Sequence, residues 1–337
     1  MRNMTFAQAI EDSLAYAMEK DSRVIILGED VHMLRVNLFS RFGKERVRST
    51  PISESAFLGA AVSAAMSGLR PVAEIMMVDF IAVAVDALIN HAAKVDGFTN
   101  GKWQVPLVVR AACGGGYGDG GQHEQCLWGW LAHIPGLSVV VPSNPGDAGG
   151  LMLAAIKENG PVIFCEHKLL ADYWRDYLGS GGRDTVSFSV PEQGQRGAVP
   201  DTWEMVPIGR AKILRDGSDI TIVSVGVGVH RSLEAAVLLD NNNIRSTVID
   251  LRSIAPLDAE CICKSVAQTK RLLVVDEDYE QFGLSGEIAA RVLENQITIK
   301  YGRVCTKTTI PYSRKLEDET LPSTEKIVNT ALLLMKD

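Results

Sequence analysis

The residues best suited to chemistry lie in one glycine-rich stretch, CGGGYGDGGQHEQC, which runs from Cys113 to Cys126. Glycine has no Cβ, so a backbone rich in glycine takes left-handed conformations and approaches other groups closely. Such a stretch either binds phosphate through its amides or carries a side chain to a reaction centre. His123 is a side chain that transfers protons near neutral pH. These residues alone leave both interpretations open.

The stretch also imitates a diphosphate-binding motif. GDG at 118–120 is followed by Asn144 at about the interval that thiamine diphosphate enzymes use for Mg²⁺ and diphosphate. We reject this interpretation because Asn144, followed by Pro145, is typical of a helix N-cap, and Asp119 lies inside a loop that has already left its strand. A Walker loop is excluded because no Lys-Ser or Lys-Thr pair follows the glycines.

A second imitation is VGVGVHR, which ends at Arg231 and is followed by Asp250 at the end of the next apolar run. This pattern is close to the dinucleotide fingerprint. The third glycine position carries Arg231, however, where close helix packing leaves no room for a side chain. NAD binding is therefore not expected.

Apolar runs of strand length must position these residues, and segments with helical periodicity separate most of the runs. Thr5 and Gln8 are spaced as a capping box at the start of one helix, and Asn144 begins another that Gly160 is expected to end. Strands are predicted at 24–30, 71–77, 106–111, 137–142, 161–166, 219–225, 246–251 and 271–278.

The alternation of strands and helices fails between residues 171 and 207, where Gly, Pro and polar residues dominate. We interpret this part as a long connecting segment. The fold class is predicted to be α/β, with two doubly wound domains whose sheets are mostly parallel. The first domain spans 1–175, the linker 176–207 and the second domain 208–337.

The length, net charge and cysteine content of the chain limit which kinds of protein it can be. A chain of 337 residues suits two such domains, and a net charge of -7 with both signs scattered leaves no basic stripe for nucleic acid. The apolar runs are short and the N-terminus has no signal-peptide pattern, so we expect a cytoplasmic protein without membrane contact. The six cysteines form no CxxC pair and are expected to be buried free thiols.

Seven segments together resemble the β subunit of the E1 component of 2-oxoacid dehydrogenases, a transketolase-like protein. They are TPISESAFLGAAVSAAMSGLRPVAEI, DFIAVAVDALINHAAK, GGQHEQC, PGLSVVVPSNPGDAGGLMLAAI, PIGRAKI, EQFGLSGEIAARV and IPYSRKLED. The similarity runs in order over nearly the whole chain. It implies a transketolase-like pyrimidine-binding domain followed by a transketolase C-terminal-like domain.

The resemblance implies roles for three residues. Glu54 matches the glutamate that hydrogen-bonds the thiamine aminopyrimidine, although the residues alone favour a helix start with Ser53 as its cap. Phe80 matches the aromatic residue that packs on the aminopyrimidine, and core filling is its structural alternative. His123 matches the histidine that transfers protons or orients the intermediate.

The resemblance also implies ligands and partners. The cofactor is thiamine diphosphate, shared with an E1 α subunit that binds most of the Mg²⁺. A monovalent cation such as K⁺ is implied at positions that provide mainly backbone carbonyls: Leu107, Ala155, Ile156, Glu158 and Gly160. The implied assembly is α2β2 on a lipoyl-bearing E2 core, and the small-residue helix from Ala56 to Gly68 is expected at a subunit interface.

Pyruvate is the expected substrate, and acetoin and branched-chain 2-oxoacids stay open as alternatives. An interpretation of another class also stays open, in which the chain is a non-catalytic assembly subunit. The linker is longer than in the pyruvate enzymes of this family, so the resemblance does not determine the substrate or the details of assembly.

Overall fold

The computed structural model describes residues 1–174 and 192–336. Its strands form two main sheets and one short antiparallel pair, β1 (Arg2–Thr5) with β8 (Arg196–Val199). Residues 175–191 lie outside the described residues; they include the part 176–191 of the expected linker, and the described remainder of the linker contains β8. No helix in the described ranges is long and apolar enough to cross a membrane.

The first sheet has the strand order β12-β6-β7-β5-β4-β2-β3, and only β12 is antiparallel to its neighbour. Its strands are β2 (Val24–Glu29), β3 (Val47–Thr50), β4 (Arg70–Met77), β5 (Val108–Cys113), β6 (Ser138–Val140), β7 (Val162–His167) and β12 (Ser253–Ala255). Because β12 comes from the second half of the chain, it joins the two halves through backbone hydrogen bonds.

Helices cover both faces of this sheet because its strands are apolar on both sides. Val24 and Ile26 face one core cluster, which contains residues of α1 (Phe6–Lys20) and α7 (Pro145–Lys157). Ile25 and Leu27 face another, which contains residues of α4 (Glu54–Met66). The other elements are α2 (Val31–Leu34), α3 (Val36–Phe42), a 3₁₀ segment (Val78–Ala84), a π-helical turn (Ala87–Ala92), α5 (Val95–Phe98) and α6 (Trp128–Ala132).

The second sheet has the order β14-β13-β10-β11-β9, with only β9 antiparallel. Its strands are β9 (Lys212–Arg215), β10 (Ile220–Ser224), β11 (Ser246–Asp250), β13 (Arg271–Tyr279) and β14 (Lys300–Thr306). The helices after β7 are α8 (Glu192–Gln195), α9 (Val227–Asp240), α10 (Ala259–Thr269), α11 (Leu284–Glu294), α12 (Arg314–Thr320) and α13 (Thr324–Met335). The expected α/β architecture with two mostly parallel sheets is confirmed.

The helix starts were predicted well and one helix end was not. Thr5 and Gln8 form the expected capping box, and Asn144 caps α7 by accepting the Asp147 amide. The prediction that Gly160 ends α7 was wrong, because Glu158 already has an extended ψ of 149°. The carbonyls freed by this early end bind Arg70 instead, as described below.

Candidate functional site

The glycine loop, residues 114–125, connects β5 to the segment that precedes α6. Its backbone is left-handed at four positions, with φ of +94° at Gly114, +114° at Gly116, +74° at Gly118 and +71° at Gly120. Residues with a Cβ rarely adopt these angles. The glycines are therefore required by the path of the loop.

Buried carboxylates accept five amides of the glycine loop. Gly115 donates to Glu277 Oε1 (2.7 Å), Gly116 and Gly118 donate to the two oxygens of Glu317 (2.5 and 3.0 Å), and Tyr117 and Gly120 donate to the two oxygens of Glu124 (2.8 and 2.9 Å). The Gly114 and Gly121 amides donate to backbone carbonyls. A phosphate cradle needs free amides, and these amides are already used within the chain. The geometry therefore favours presentation of a side chain over phosphate binding.

The pKa values of two of these carboxyl groups, Glu124 and Glu277, shift in opposite directions. Burial raises the pKa of Glu124 to about 8, and the nearby Glu317 carboxylate adds to the rise. Burial also acts to raise the pKa of Glu277, but the His167 imidazole, which donates a hydrogen bond to it, and the positive charge of Arg231 outweigh burial and lower that pKa to about 2. Arg231, which stands at the third glycine position of the VGVGVHR pattern, thus pairs with a carboxylate that accepts an amide of the glycine loop.

His123 stands at the far end of the glycine loop and is half-buried. Its Nδ1 lies 3.3 Å from the Asp119 carbonyl oxygen, and its own carbonyl accepts a hydrogen bond of 2.6 Å from Lys168 Nζ. Its imidazole meets the Phe80 ring edge-on, with 5.9 Å between the centroids. The structure therefore brings together two of the three residues that the resemblance singled out.

Asp79 and Gln125 belong to the same cluster, and the sequence analysis did not single them out. Asp79 Oδ1 accepts from Gln125 Nε2 (2.7 Å), and Gln125 Oε1 accepts from the Tyr279 hydroxyl (3.0 Å). The other oxygen, Asp79 Oδ2, is buried and has no hydrogen-bond partner among the described residues. Burial raises the pKa of Asp79. Their positions beside Phe80 and His123 in the VDF and QHEQ segments were the signal that could have identified them.

Glu54 is the first residue of α4 and is half-buried. Ser53 occupies the N-cap position, but its side chain makes no capping hydrogen bond, so the expected serine cap is wrong in this respect. Within the described ranges no hydrogen bond joins Glu54 to Phe80 or His123, although Ser55 Oγ ties the start of α4 to the Val83 carbonyl of the 3₁₀ segment that carries Phe80 (2.5 Å).

Burial raises the pKa of Glu29, and the negative charges of Asp30 and Glu54 raise it further. Two carboxyl groups, from the end of β2 and the start of α4, thus share one electrostatic environment.

The five positions of the implied cation site lie around the end of α7. Arg70 Nη1 donates to the carbonyls of Ile156 (2.7 Å) and Glu158 (2.8 Å), and the Leu107 carbonyl accepts the Val162 amide. Each of these three carbonyls already accepts one hydrogen bond, and the donor to two of them is the positive guanidinium of Arg70. The cation stays a prediction.

A buried ionic network crosses the first sheet next to the site. Glu74 accepts hydrogen bonds from Arg35 and Arg110, and Arg110 also binds Glu166. The Tyr173 hydroxyl donates to the other Glu166 oxygen (2.5 Å). All these charges are paired, so the network offers no free acid or base.

Cys126, His167 and Glu277 place ligand atoms within 4.8 Å of one another. His167 Nδ1 accepts the Leu169 amide, so its Nε2 carries the proton and donates to Glu277 Oε1 (3.0 Å). Burial raises the pKa of the Cys126 thiol. A protonated thiol and a donating imidazole do not fit a metal ion. Cys126 is a free thiol, as are Cys113, Cys165, Cys261, Cys263 and Cys305; all are buried as expected except Cys261, which is half-buried.

Topology separates the two halves of the imitation diphosphate motif. Asp119 follows β5 and Asn144 follows β6, but β7 lies between these strands in the sheet. Asn144 also uses its side-chain oxygen to cap α7. The geometry thus agrees with the reason for rejecting this motif.

Comparisons with known proteins match nearly the whole chain. Residues 2–172 match the family model "Transketolase, pyrimidine binding domain", and residues 209–327 match "Transketolase, C-terminal domain". The chain is 37% identical to the acetoin:2,6-dichlorophenolindophenol oxidoreductase subunit beta of Bacillus subtilis (strain 168), over 99% of this chain and 98% of the relative. It is 36% identical to the mitochondrial pyruvate dehydrogenase E1 component subunit beta of Mus musculus, over 96% and 89%. A solved structure titled "Split gene transketolase, inactive beta4 tetramer" has the same fold, with a TM-score of 0.79, 20% identity and 98% of both chains covered.

Proposed function

The chain belongs to the family of E1 β subunits of 2-oxoacid and acetoin dehydrogenases, and we propose that with an α subunit it decarboxylates a 2-oxoacid and reductively acylates a lipoyl group. One observation of this chain carries the proposal. The amides of the glycine loop donate hydrogen bonds to internal carboxylates, and the loop places His123 beside Phe80. A loop built in this way delivers a side chain to a reaction centre.

The residues present fit thiamine diphosphate. The Glu54 carboxylate makes no hydrogen bond within residues 1–174 and 192–336, and Phe80 offers a half-buried ring. Asp79 Oδ2 is a buried acceptor without a partner in the same ranges. Glu54 would hold the aminopyrimidine through a ring nitrogen, and Phe80 would pack on it.

When bound, thiamine diphosphate supplies a nucleophilic carbon and stabilises the charge left by decarboxylation. Glu54 would hold the aminopyrimidine through a hydrogen bond that favours its proton-accepting form. His123 would donate or accept a proton at the reacting oxygen of the substrate, or orient that oxygen. The Phe80 ring limits the orientations of the His123 imidazole. Gln125 holds the Asp79 carboxylate beside Phe80 and His123 through a hydrogen bond of 2.7 Å.

Five amides of the glycine loop donate to carboxylates and are not free to bind diphosphate, which supports a second chain as the source of the diphosphate site. We propose that an E1 α subunit binds the diphosphate and most of the Mg²⁺ in an α2β2 assembly. On α4, Phe57 and Leu58 are buried, whereas Ala56, Ala60 and Ser63 are exposed. Such a face lets another backbone approach closely, which supports a subunit contact there. A lipoyl-bearing E2 core is the proposed acceptor partner.

Pyruvate is the proposed substrate, with acetoin as the second candidate and branched-chain 2-oxoacids as the third. The acetoin relative matches this chain over 98% of its own length and the pyruvate relative over 89%. Acetoin is therefore included among the substrates to be compared. Their identities of 37% and 36% do not separate the two substrates.

The experiment is dye reduction by the complex of this chain with its α subunit, in the presence of thiamine diphosphate and Mg²⁺. Pyruvate, acetoin and 3-methyl-2-oxobutanoate are compared. Glu54→Gln should abolish turnover, whereas Glu45→Gln, an exposed glutamate, should not change it. Full activity of the Glu54→Gln complex would instead support the non-catalytic assembly subunit, and absence of turnover with all three substrates would refute the proposed reaction.

A further inference from the structure

Two buried carboxylates from the second half of the chain accept amides of the glycine loop: Glu277 accepts one, and Glu317 in α12 accepts two. We infer that Glu317 is a positioning residue for His123, because it holds the loop backbone from which His123 projects. The inference rests on the proposed role of His123. It goes beyond that role by giving the second domain a direct part in the geometry of the site.

Both oxygens of Glu317 are used on the loop. Oε1 accepts the Gly116 amide (2.5 Å) and Oε2 accepts the Gly118 amide (3.0 Å), so one carboxylate fixes two alternate residues. Glu317 is fully buried, and Arg314 Nη1 donates to Oε2 (2.6 Å). A buried, paired carboxylate with two backbone donors has little freedom to move.

The residues before Glu317 support the other end of the loop. The Gly121 amide donates to the Ile310 carbonyl (2.8 Å), and the Tyr312 hydroxyl donates to Gln122 Oε1 (3.0 Å). A Cβ on Gly120 would lie 2.8 Å from the Tyr312 ring, too close for any side chain there. The glycine-rich composition therefore serves close contact with residues 310–317.

The requirement for a carboxylate is specific. Glutamine has the same shape, but only one of its two terminal atoms accepts a hydrogen bond. In Glu317→Gln the amide nitrogen would face either the Gly116 or the Gly118 amide, donor against donor, in a buried site. The loop must then shift, and a displacement of about 1 Å at a reacting group costs roughly 10²-fold in rate.

The test uses the complex with the α subunit. Glu317→Gln should lower kcat about 10- to 100-fold with KM nearly unchanged, whereas Glu319→Gln, an exposed glutamate on the same helix, should have no effect. In a His123→Ala background, Glu317→Gln should lower kcat only slightly further, because Glu317 acts through His123. Equal losses in both backgrounds, or a normal kcat for Glu317→Gln, would overturn the inference.

Hydrogen exchange of the wild-type chain provides a test that needs no variant to fold. The amides of Gly116 and Gly118, which donate to Glu317, should exchange at least about 100-fold more slowly than in an unstructured peptide, and exchange at the peptide rate would overturn the inference. If His123→Ala has normal turnover, the proposed role of His123 is wrong and the inference falls with it. If only His123→Ala loses activity, the proposed function stands and the inference alone fails.

Discussion

The Phe80 ring stands edge-on to the His123 imidazole, at an interplanar angle of 84° and a centroid separation of 5.9 Å. Phe80 lies in the 3₁₀ segment after β4, and His123 lies in the glycine loop after β5. Since β4 and β5 are parallel neighbours, both segments leave the same edge of the sheet. This edge is where α/β proteins bind ligands.

Replacing Phe80 tests its contact with the cofactor. Phe80→Leu should weaken the binding of thiamine diphosphate about 2- to 10-fold, because an aromatic contact contributes roughly 0.5–1.5 kcal/mol. Fluorescence titration of the complex measures the affinity. Phe39→Leu is the matched control, since Phe39 makes a similar edge contact with His32 elsewhere in the chain. Equal affinities for both variants would contradict the assignment of Phe80.

Replacing His123 separates chemistry from folding. His123→Ala should lower turnover by about two to four decades, the range for a lost proton-transfer group. The Tm should stay nearly unchanged, because Lys168 binds the backbone carbonyl of His123, which alanine retains. Turnover and Tm are measured on one preparation, with His133→Ala, an exposed histidine, as the control. Normal turnover with a lowered Tm would show that His123 is structural.

Replacing Glu74 tests the buried ionic network. Glu74→Ala should lower the free energy of unfolding by about 3–5 kcal/mol, because it leaves the buried charges of Arg35 and Arg110 without one of their partners. Urea denaturation measures the loss, and Glu45→Ala, at an exposed side chain, should change the free energy by less than about 0.5 kcal/mol. A similar small loss for Glu74→Ala would show that the network contributes little.

The same network gives a pH dependence. Burial acts to raise the pKa of Glu74, but the charges of Arg35 and Arg110 outweigh it and hold the pKa below its ordinary value. The folded state therefore binds the Glu74 proton less readily than the unfolded state. Its contribution to stability is present above the ordinary pKa of 4.5 and is lost as the pH falls through the lower folded value.

Glu124 should have the opposite effect on the pH dependence of stability. Burial raises its pKa from 4.5 to about 8, so between these values the folded state keeps a proton that the unfolded state releases. Stability from this group is complete below about pH 4.5 and declines as the pH rises to about 8, by at most about 1.4 kcal/mol per pH unit. Urea denaturation of Glu124→Gln at several pH values should show a flatter profile than wild type over this range. Identical profiles would contradict the raised pKa.

Local sequence patterns predicted the structure correctly where the interacting residues are close along the chain. The capping box of Thr5 and Gln8 was predicted because both residues lie within one helical turn. Buried strands such as β4 and β7 were found within two residues of their ends, since their apolar runs are continuous. The three-residue strand β12 was not found, because its pairing with Val139 and Val140 depends on a distant part of the chain.

The sequence by itself determined that residues 114–125 would form a glycine-rich turn after a strand and would carry His123 near its end. It could not decide between binding phosphate and presenting a side chain, because that choice depends on what occupies the amides. Only the tertiary structure brings Glu277 and Glu317 from the second domain onto those amides. Glycine sets which backbone angles are accessible, but hydrogen-bond partners come from whichever elements the fold packs against the loop.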